Sequence, residues 1–386
     1  MFLRLLLLSI LSEALYLLLA AQSRIPPAES PLSAWYRPTR FEETVVFLGI
    51  WAALFLVYVL AIRSAAKSGG RALFVLVFLT SALFRSNLLW KTGFSTDAPR
   101  AFLQAESPLT EATDEIEFTL RAGASVVFDL GSLALLPGLL KAATLPAGLA
   151  IVHGWNPLLV KESAGSARLE PIALFFLLLA FRCAQKRRFT SSALAYGAAL
   201  LGPPVFWATF PLLAVTLRLR VLLSLVIGGV GFAVLATSRS FPDLLGWPPA
   251  NFIGGSLMPS LSVLSRLLVT RDPLVPLAAC ALLWCAIAAI RTWKLRGSPE
   301  KLPREALILL GWLLLLSPQV LPRSFLPIGS LAAFASNRGW LVFTATAPLA
   351  YLALGEEGFS FWLGFAQYFP GYFSVIFIGL GRSRGY

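Results

Sequence analysis

Long apolar runs that follow one another along the chain constrain this sequence more than any other feature. Hydrophobic residues make up 57% of the 386 residues, charged residues only 13%, and the mean hydropathy is +0.76. A soluble domain carries about 25% charged residues, and one water-soluble core of this length could not hide so much apolar surface. The sequence therefore excludes a soluble globular protein and predicts an all-α, polytopic transmembrane helical bundle.

Fourteen hydrophobic passes can be marked along the chain. Several are shorter than the ~20 residues that a full crossing needs, so we expect short broken helices and about 11–14 passes. The whole chain, 1–386, is interpreted as a single transmembrane domain. The passes lie at 1–21, 44–63, 72–90, 123–141, 145–160, 170–183, 190–202, 204–217, 219–238, 274–291, 304–319, 322–336, 339–355 and 368–381.

The distribution of charge predicts the topology of these passes. With a cytoplasmic N-terminus, the cytoplasmic segments hold 19 of the 32 basic residues and two acids, Glu300 and Glu305. The opposite side holds 12 basic residues and 15 acids. This asymmetry fits the positive-inside rule. It predicts a multi-pass protein of the cell's inner (plasma) membrane with both termini in the cytoplasm.

The net charge of +13 and the three cysteines are also accounted for by this interpretation. A basic chain can indicate nucleic-acid binding, but here topology explains most of the excess, so we expect no nucleic-acid partner. Three cysteines are too few for a disulfide framework. Cys183, Cys280 and Cys285 are therefore interpreted as packing residues.

The predicted outer face carries the long loops, where a site on a helical scaffold is expected. Residues 91–122 form a first large acidic loop with six acids, and residues 239–273 form a second loop with an amphipathic segment at 260–269. In the first loop, Ser107 and Pro108 can cap a short surface helix over 109–120.

Asp97 is the candidate catalytic residue of the acidic loop. It lies just beyond a predicted span, where a carboxylate can act as a general base on an incoming hydroxyl. Asp97, Asp114 and Glu115 have the oxygen ligands of a divalent-metal site, and no other cofactor is expected. The alternative is that the loop is acidic only for topology and solubility.

A second polar segment, 155–168, interrupts two hydrophobic passes. Irregular backbone at membrane depth must be buried in protein or face a wet cavity. Lys161 and Arg168 could bind a phosphate there, and Glu162 could hold either of them. The alternative is that Lys161 and Glu162 are charges at the rim of the membrane.

Three other groups have both a functional and a structural interpretation. Arg323 follows a proline in a broken pass and could meet an anionic headgroup or extend to the interface by snorkelling. His153 is the single histidine and is interpreted as packing. Arg85 and Asp129 fall inside spans, where charges are costly unless paired, so they are expected to pair with each other.

These segments resemble the glycosyltransferase C superfamily, specifically bacterial polyprenol-phosphate-mannose-type transferases. The resemblance covers about 70–370. It rests on Leu83-Phe84-Arg85, Phe94-Ser95-Thr96-Asp97 with Arg100, Phe128-Asp129-Leu130, Trp155-Asn156-Pro157 through Lys161-Glu162 with Ala164-Gly165-Ser166, Phe252 with Gly255-Ser256-Leu257, Leu316-Ser317-Pro318 with Pro322, and Gly339-Trp340-Leu341-Val342 with Pro348-Leu349-Ala350-Tyr351-Leu352.

The resemblance implies a glycosyltransferase-C-like bundle that transfers a mannose-type hexose from a polyprenyl-phosphate donor on the outer face. It implies Asp97 as the catalytic acid–base group. The donor phosphate is expected at Lys161, Arg168 and Arg323, and supporting roles are expected for Arg100, Asn156 and Glu162.

Two other functions are consistent with the same residues. Thr96 stands where the family has the first of two acids, which favours a catalytically inactive, transferase-derived subunit. Such a subunit would bind lipid or other membrane protein subunits in a larger complex. A transporter would need paired polar groups at the membrane midplane, for which the sequence offers Glu13, Arg85 and Asp129.

Overall fold

A computed structural model describes residues 2–22, 41–66, 70–89, 111–165, 170–236, 274–295, 297–316, 322–335, 339–349, 366 and 369–375. These residues form helices and turns, and no β-strand occurs among them. The prediction of an all-α helical bundle is therefore confirmed. Contacts divide the chain into two compact units, Met1–Ile172 with Tyr351–Glu357 and Ala173–Ala350 with Gly358–Tyr386.

The described part of the first unit consists of four long helices and two short ones. Helix α1 packs on α2 and α3, and the short α6 packs on α3 and α4. A 3₁₀-helix, Ala147–Ala150, precedes α5. The helices are α1 (Phe2–Gln22), α2 (Phe41–Ala65), α3 (Arg71–Leu89), α4 (Glu111–Ala142), α5 (Ile151–Gly154) and α6 (Pro157–Gly165).

The second unit is built mainly from shorter helices, separated by 3₁₀-turns at Pro204–Thr209, Arg218–Arg220, Pro299–Lys301, Pro322–Phe325 and Ala332–Phe334. Helix α8 packs on α10, and α12 packs on α11 and α13. The helices are α7 (Glu170–Gln185, which begins in the first unit), α8 (Phe189–Ala199), α9 (Phe210–Leu217), α10 (Val221–Ala236), α11 (Leu274–Leu295), α12 (Leu302–Leu316), α13 (Leu326–Leu331) and α14 (Gly339–Thr346).

Helix α1 has one face buried in the protein and one apolar face that is exposed. Its buried face carries Leu5, Ser9, Ser12, Tyr16 and Leu19, at helical spacing. The opposite face exposes large apolar side chains, which in water would form an aggregation-prone patch. This is the pattern of a helix that turns its apolar side to lipid. The exposed side chains are Phe2, Leu3, Leu7, Ile10, Leu11, Leu17 and Leu18.

The chain is a membrane protein with several spans. Five stretches of the described residues are long and apolar enough to cross a bilayer. They are Phe2–Leu19, Val46–Ala65, Arg71–Leu89, Leu120–Ala142 and Val205–Gly231. The last of these contains the turn at Arg218–Arg220, so it consists of consecutive shorter helices.

Helix α4 differs from the expectation for the acidic loop. The sequence predicted a separate surface helix over 109–120 and a span from 123, whereas α4 runs without interruption from Glu111 to Ala142. Residues 111–122 therefore form the first three turns of the helix that crosses the membrane. Residues 91–110 of the first loop and all of the second loop, 239–273, lie outside the described residues.

Candidate functional site

The predicted pass 145–160 is interrupted in the structure, and we call Ala147–Gly165 the broken crossing. Its first half ends at Gly154 and its second half begins at Pro157. Asn156 caps the second half, because its Oδ1 accepts a hydrogen bond of 3.0 Å from the backbone N–H of Leu158. Pro157 lacks an N–H and fits the first helical position that follows such a cap. The sequence Asn156-Pro157 therefore encodes the break.

Side chains from α2 and α3 hold this break in place. The hydroxyl of Tyr58 donates to the carbonyl oxygen of Val152 at 2.7 Å, and Asn156 Nδ2 donates to the same hydroxyl at 3.3 Å. On the α3 side, the indole N–H of Trp155 donates to Thr80 Oγ1 at 2.8 Å. The Val152 carbonyl oxygen beside the break is thus bound by a protein side chain, as irregular backbone at membrane depth requires.

An ionic network lies beside the break, inside the first unit. Arg85 Nε donates to Asp129 Oδ2 at 2.5 Å, and Nη2 of the same guanidinium is ion-paired with that oxygen. Arg85 Nη1 donates to the carbonyl oxygens of Ser81 and Gly154, each at 3.0 Å. Both charged side chains are fully buried. The prediction that Arg85 and Asp129 pair with each other is confirmed, and their network joins α3, α4 and α5.

His153 belongs to the same network. Its Nε2 lies 3.1 Å from the backbone carbonyl oxygen of Asp129 and 3.2 Å from Asp129 Oδ1. The side chain is buried, as expected for a packing residue, but it also makes polar contacts to the carboxylate. The sequence prediction of simple packing is therefore incomplete.

Lys161 and Glu162 form a second buried ion pair, in the second half of the broken crossing. Lys161 Nζ lies 3.0 Å from Glu162 Oε1, and each residue is only 2% exposed. Glu162 holds Lys161, and neither side chain is exposed. Removing two charges from water is costly, so a buried pair here has to be explained by structure or by function.

The other predicted site residues are distributed over the chain. Asn156, Lys161 and Glu162 lie together on the broken crossing. Arg323 lies in the second unit, in the 3₁₀-helix Pro322–Phe325, and is 7% exposed, so its side chain does not reach the surface as snorkelling requires. Asp97, Arg100 and Arg168 lie outside the described residues.

The candidate ligands of the divalent-metal site also lie outside the part of the chain whose side chains the structure describes. Asp97 and the side chains of Asp114 and Glu115 are not among the described groups. Within the part of the chain that the structure describes, no cluster of three or more His, Cys, Asp or Glu could hold a metal ion.

A polar contact between α1 and α3 was not anticipated from the sequence. Asn87 Nδ2 donates to Glu13 Oε1, while Glu13 Oε2 and the hydroxyl of Tyr16 are buried and lack a hydrogen-bond partner among the described residues. The sequence shows both residues, Glu13 in the first apolar segment and Asn87 near the end of α3. Neither residue by itself indicates which helix its partner occupies.

Comparison with protein-family models, curated proteins and solved structures finds no match to this chain. In the first unit, two buried cations lie at or beside the break. Arg85 bonds across three helices, and Lys161 lies on the half-helix that follows the break.

Proposed function

We propose that this chain is a glycosyltransferase-C-type enzyme of the inner (plasma) membrane, with both termini in the cytoplasm. It transfers a mannose-type hexose from a polyprenyl-phosphate donor to a hydroxyl on the outer face. The observation that carries the proposal is the buried Lys161–Glu162 pair on the second half of the broken crossing. Ionisable side chains inside a membrane protein are rare and mark functional sites by default.

The chemistry of the reaction explains why a buried cation is needed. The acceptor oxygen forms a bond to the anomeric carbon, and the bond between that carbon and the phosphate oxygen breaks. The leaving polyprenyl phosphate gains negative charge, which an ammonium group such as that of Lys161 stabilises in a low-dielectric site. Asp97 takes the proton of the attacking hydroxyl. Arg168 is proposed to add charge around the phosphate, and Arg100, Asn156 and Glu162 to support the site.

The test is sugar transfer by the full chain in proteoliposomes that contain radiolabelled polyprenyl-phosphate mannose. Release of polyprenyl phosphate is measured with and without a hydroxyl acceptor. Wild type is expected to turn over the donor, and Asp97→Asn is expected to lose at least about 100-fold in rate. Glu300→Gln, which alters an exposed acid of the second unit, serves as the control. Absence of turnover by wild type with polyprenyl-phosphate mannose or glucose would refute the proposal.

A second function is favoured by the way the buried charges are paired. Arg85 bonds to Asp129 and Lys161 to Glu162, as expected where charges serve only a scaffold. The chain would then be an inactive, transferase-derived subunit of a larger membrane complex. Extraction of the tagged protein in mild detergent separates the two proposals, because a subunit should purify with a membrane partner in fixed stoichiometry.

A further inference from the structure

Five exposed cations lie on two turns of the second unit. One turn joins α7 to α8, and the other is the 3₁₀-turn between α9 and α10. We refer to these five side chains as the basic patch. They are Lys186, Arg187, Arg188, Arg218 and Arg220.

The two turns are neighbours in space. The guanidinium carbon of Arg220 lies 5.7 Å from the ring centroid of Phe189, the residue that follows Arg188. Beyond this contact, α8 and α10 run parallel: Ser224 Oγ donates to the carbonyl oxygen of Ala193 at 2.8 Å, and Gly228 packs against Leu200. Both helices therefore begin at the same end of the unit, where the cations are gathered.

The chain supplies no acid to this part of the sequence. From position 171 to position 242 there is neither Asp nor Glu. Five like charges on adjacent turns repel one another, and the repulsion falls when an anion lies among them. The composition of the patch therefore favours an anionic ligand.

The backbone gives a second, independent argument that the arginine side chains of the patch have a role beyond local folding. Arg187 and Arg218 have φ angles of 57° and 55°, in the region that glycine adopts most easily. At Arg187 the backbone N–H bonds to the carbonyl oxygen of Ala184 and that of Arg188 to Cys183, both at 2.9 Å. This is a Schellman motif, in which glycine usually occupies the position of Arg187. An arginine is present at both positions despite the strained backbone.

The apolar surroundings indicate which anion the patch meets. Leu219, between the two arginines of the 3₁₀-turn, is 84% exposed, and α10 exposes Leu222, Val226 and Val230 along one face. The 3₁₀-turn follows the end of α9 and precedes the start of α10. The cations therefore stand at one end of this exposed apolar surface, where we expect phospholipid headgroups when that surface faces lipid.

We propose that the basic patch binds the phosphate headgroups of anionic phospholipids, with Leu219 inserted between their acyl chains. Arginine is suited to this role because its guanidinium donates several hydrogen bonds to phosphate oxygens. Basic residues close to an anionic membrane surface each contribute about a fivefold factor in binding. The inference is independent of the proposed transferase activity, because it concerns other residues.

The test measures lipid selectivity of the full chain in phosphatidylcholine vesicles. Spin-labelled phosphatidylglycerol and spin-labelled phosphatidylcholine are compared by the fraction of each label that the protein immobilises. Wild type is expected to prefer phosphatidylglycerol, and Arg218→Gln with Arg220→Gln is expected to lower that preference at least ~5-fold. Lys301→Gln with Arg304→Gln removes two other exposed cations of the same unit and should change it less than ~2-fold.

Arg187→Gly separates ligand binding from a structural role. Glycine relieves the positive φ angle, so the variant should unfold at the same temperature as wild type or at a higher one. The same variant should lose phosphatidylglycerol preference. The proposal is overturned if Arg187→Gly keeps full selectivity, if the control pair lowers selectivity as much as the Arg218 and Arg220 pair, or if wild type shows no preference.

Discussion

The two buried ion pairs in the first unit differ in how far apart their residues lie in the sequence. Arg85 and Asp129 lie 44 positions apart, and the guanidinium also bonds to backbone carbonyls of α3 and α5. Lys161 and Glu162 are adjacent in one short helix, so the bond between them does not by itself join two helices. The first pair has an evident structural role as a cross-link. The second pair incurs a similar cost of burial, and its position on the broken crossing makes it the candidate for function.

The largest expected effect is on stability, at the first pair. Asp129→Ala leaves the Arg85 guanidinium buried without its carboxylate, and removal of one partner of a buried pair costs about 3–5 kcal/mol. Glu162→Ala likewise leaves the Lys161 ammonium buried without its carboxylate, so we expect a loss of similar size. The measurement is the free energy of unfolding in mixed detergent micelles.

A double variant checks the reason for this effect. In Arg85→Met with Asp129→Leu both charges are replaced by apolar groups, and most of the stability lost in Asp129→Ala should return. If the double variant is as unstable as the single one, the cost of an unpaired charge is not the explanation.

The second expected effect is on activity, at Lys161. If Lys161 stabilises the leaving phosphate, Lys161→Met should lower donor turnover by about 100-fold. Because Lys161→Met also leaves the Glu162 carboxylate buried without its cation, its unfolding free energy is measured beside the rate, and turnover is compared on folded protein. Lys141→Met alters an exposed lysine at the end of α4 and should leave turnover unchanged. An unaltered rate for Lys161→Met would remove the functional distinction between the two pairs.

The third effect concerns the close packing at the Arg85 network. A Cβ atom added to Gly154 would lie 2.5 Å from Ser81 Oγ and 3.2 Å from Leu133 Cδ2. Gly154→Ala is therefore expected to cost about 1–3 kcal/mol of unfolding free energy. Gly123→Ala, in α4, meets no atom within 4 Å and should be neutral or stabilising by up to about 1 kcal/mol. Equal effects of the two variants would contradict this account.

The smallest effect is expected at the hydroxyl groups of two buried tyrosines. Tyr58→Phe removes the bond to the carbonyl oxygen of Val152 and should cost about 1 kcal/mol. Tyr16→Phe removes a hydroxyl that has no hydrogen-bond partner among the described residues, so it should be neutral or slightly stabilising. A larger loss for Tyr16→Phe than for Tyr58→Phe would show that the polar groups around α1 contribute more than those at the break.

Much of the fold follows from local features of the sequence. The apolar runs 44–63 and 72–90 correspond to Phe41–Ala65 and Arg71–Leu89, because hydrophobic length alone defines such helices. The predicted start of the span at position 123, after a separate surface helix, was wrong, because α4 already begins at Glu111. Residues 111–122 contain no proline and are mostly good helix formers, so α4 begins early.

The candidate site was predictable only in part. The pairing of Arg85 with Asp129 follows from the cost of a charge inside a span. The hydrogen bonds that hold the break could not be predicted in this way, because their partners are far apart in the sequence. Tyr58 and Val152 lie 94 positions apart, and Thr80 and Trp155 lie 75 apart. Tyrosine and threonine occur in many spans, and no local pattern shows which group each of them meets across the bundle.

The interruption at Asn156 also affects how the protein can be assembled during synthesis. Helix α5 has four residues and α6 has nine, and each is far shorter than the ~20 apolar residues that partition into a bilayer as an independent helix. The Tyr58 and Thr80 bonds to this segment come from α2 and α3, which are synthesised earlier. We therefore expect Ala147–Gly165 to enter the membrane late, by docking into a nascent bundle that has already integrated.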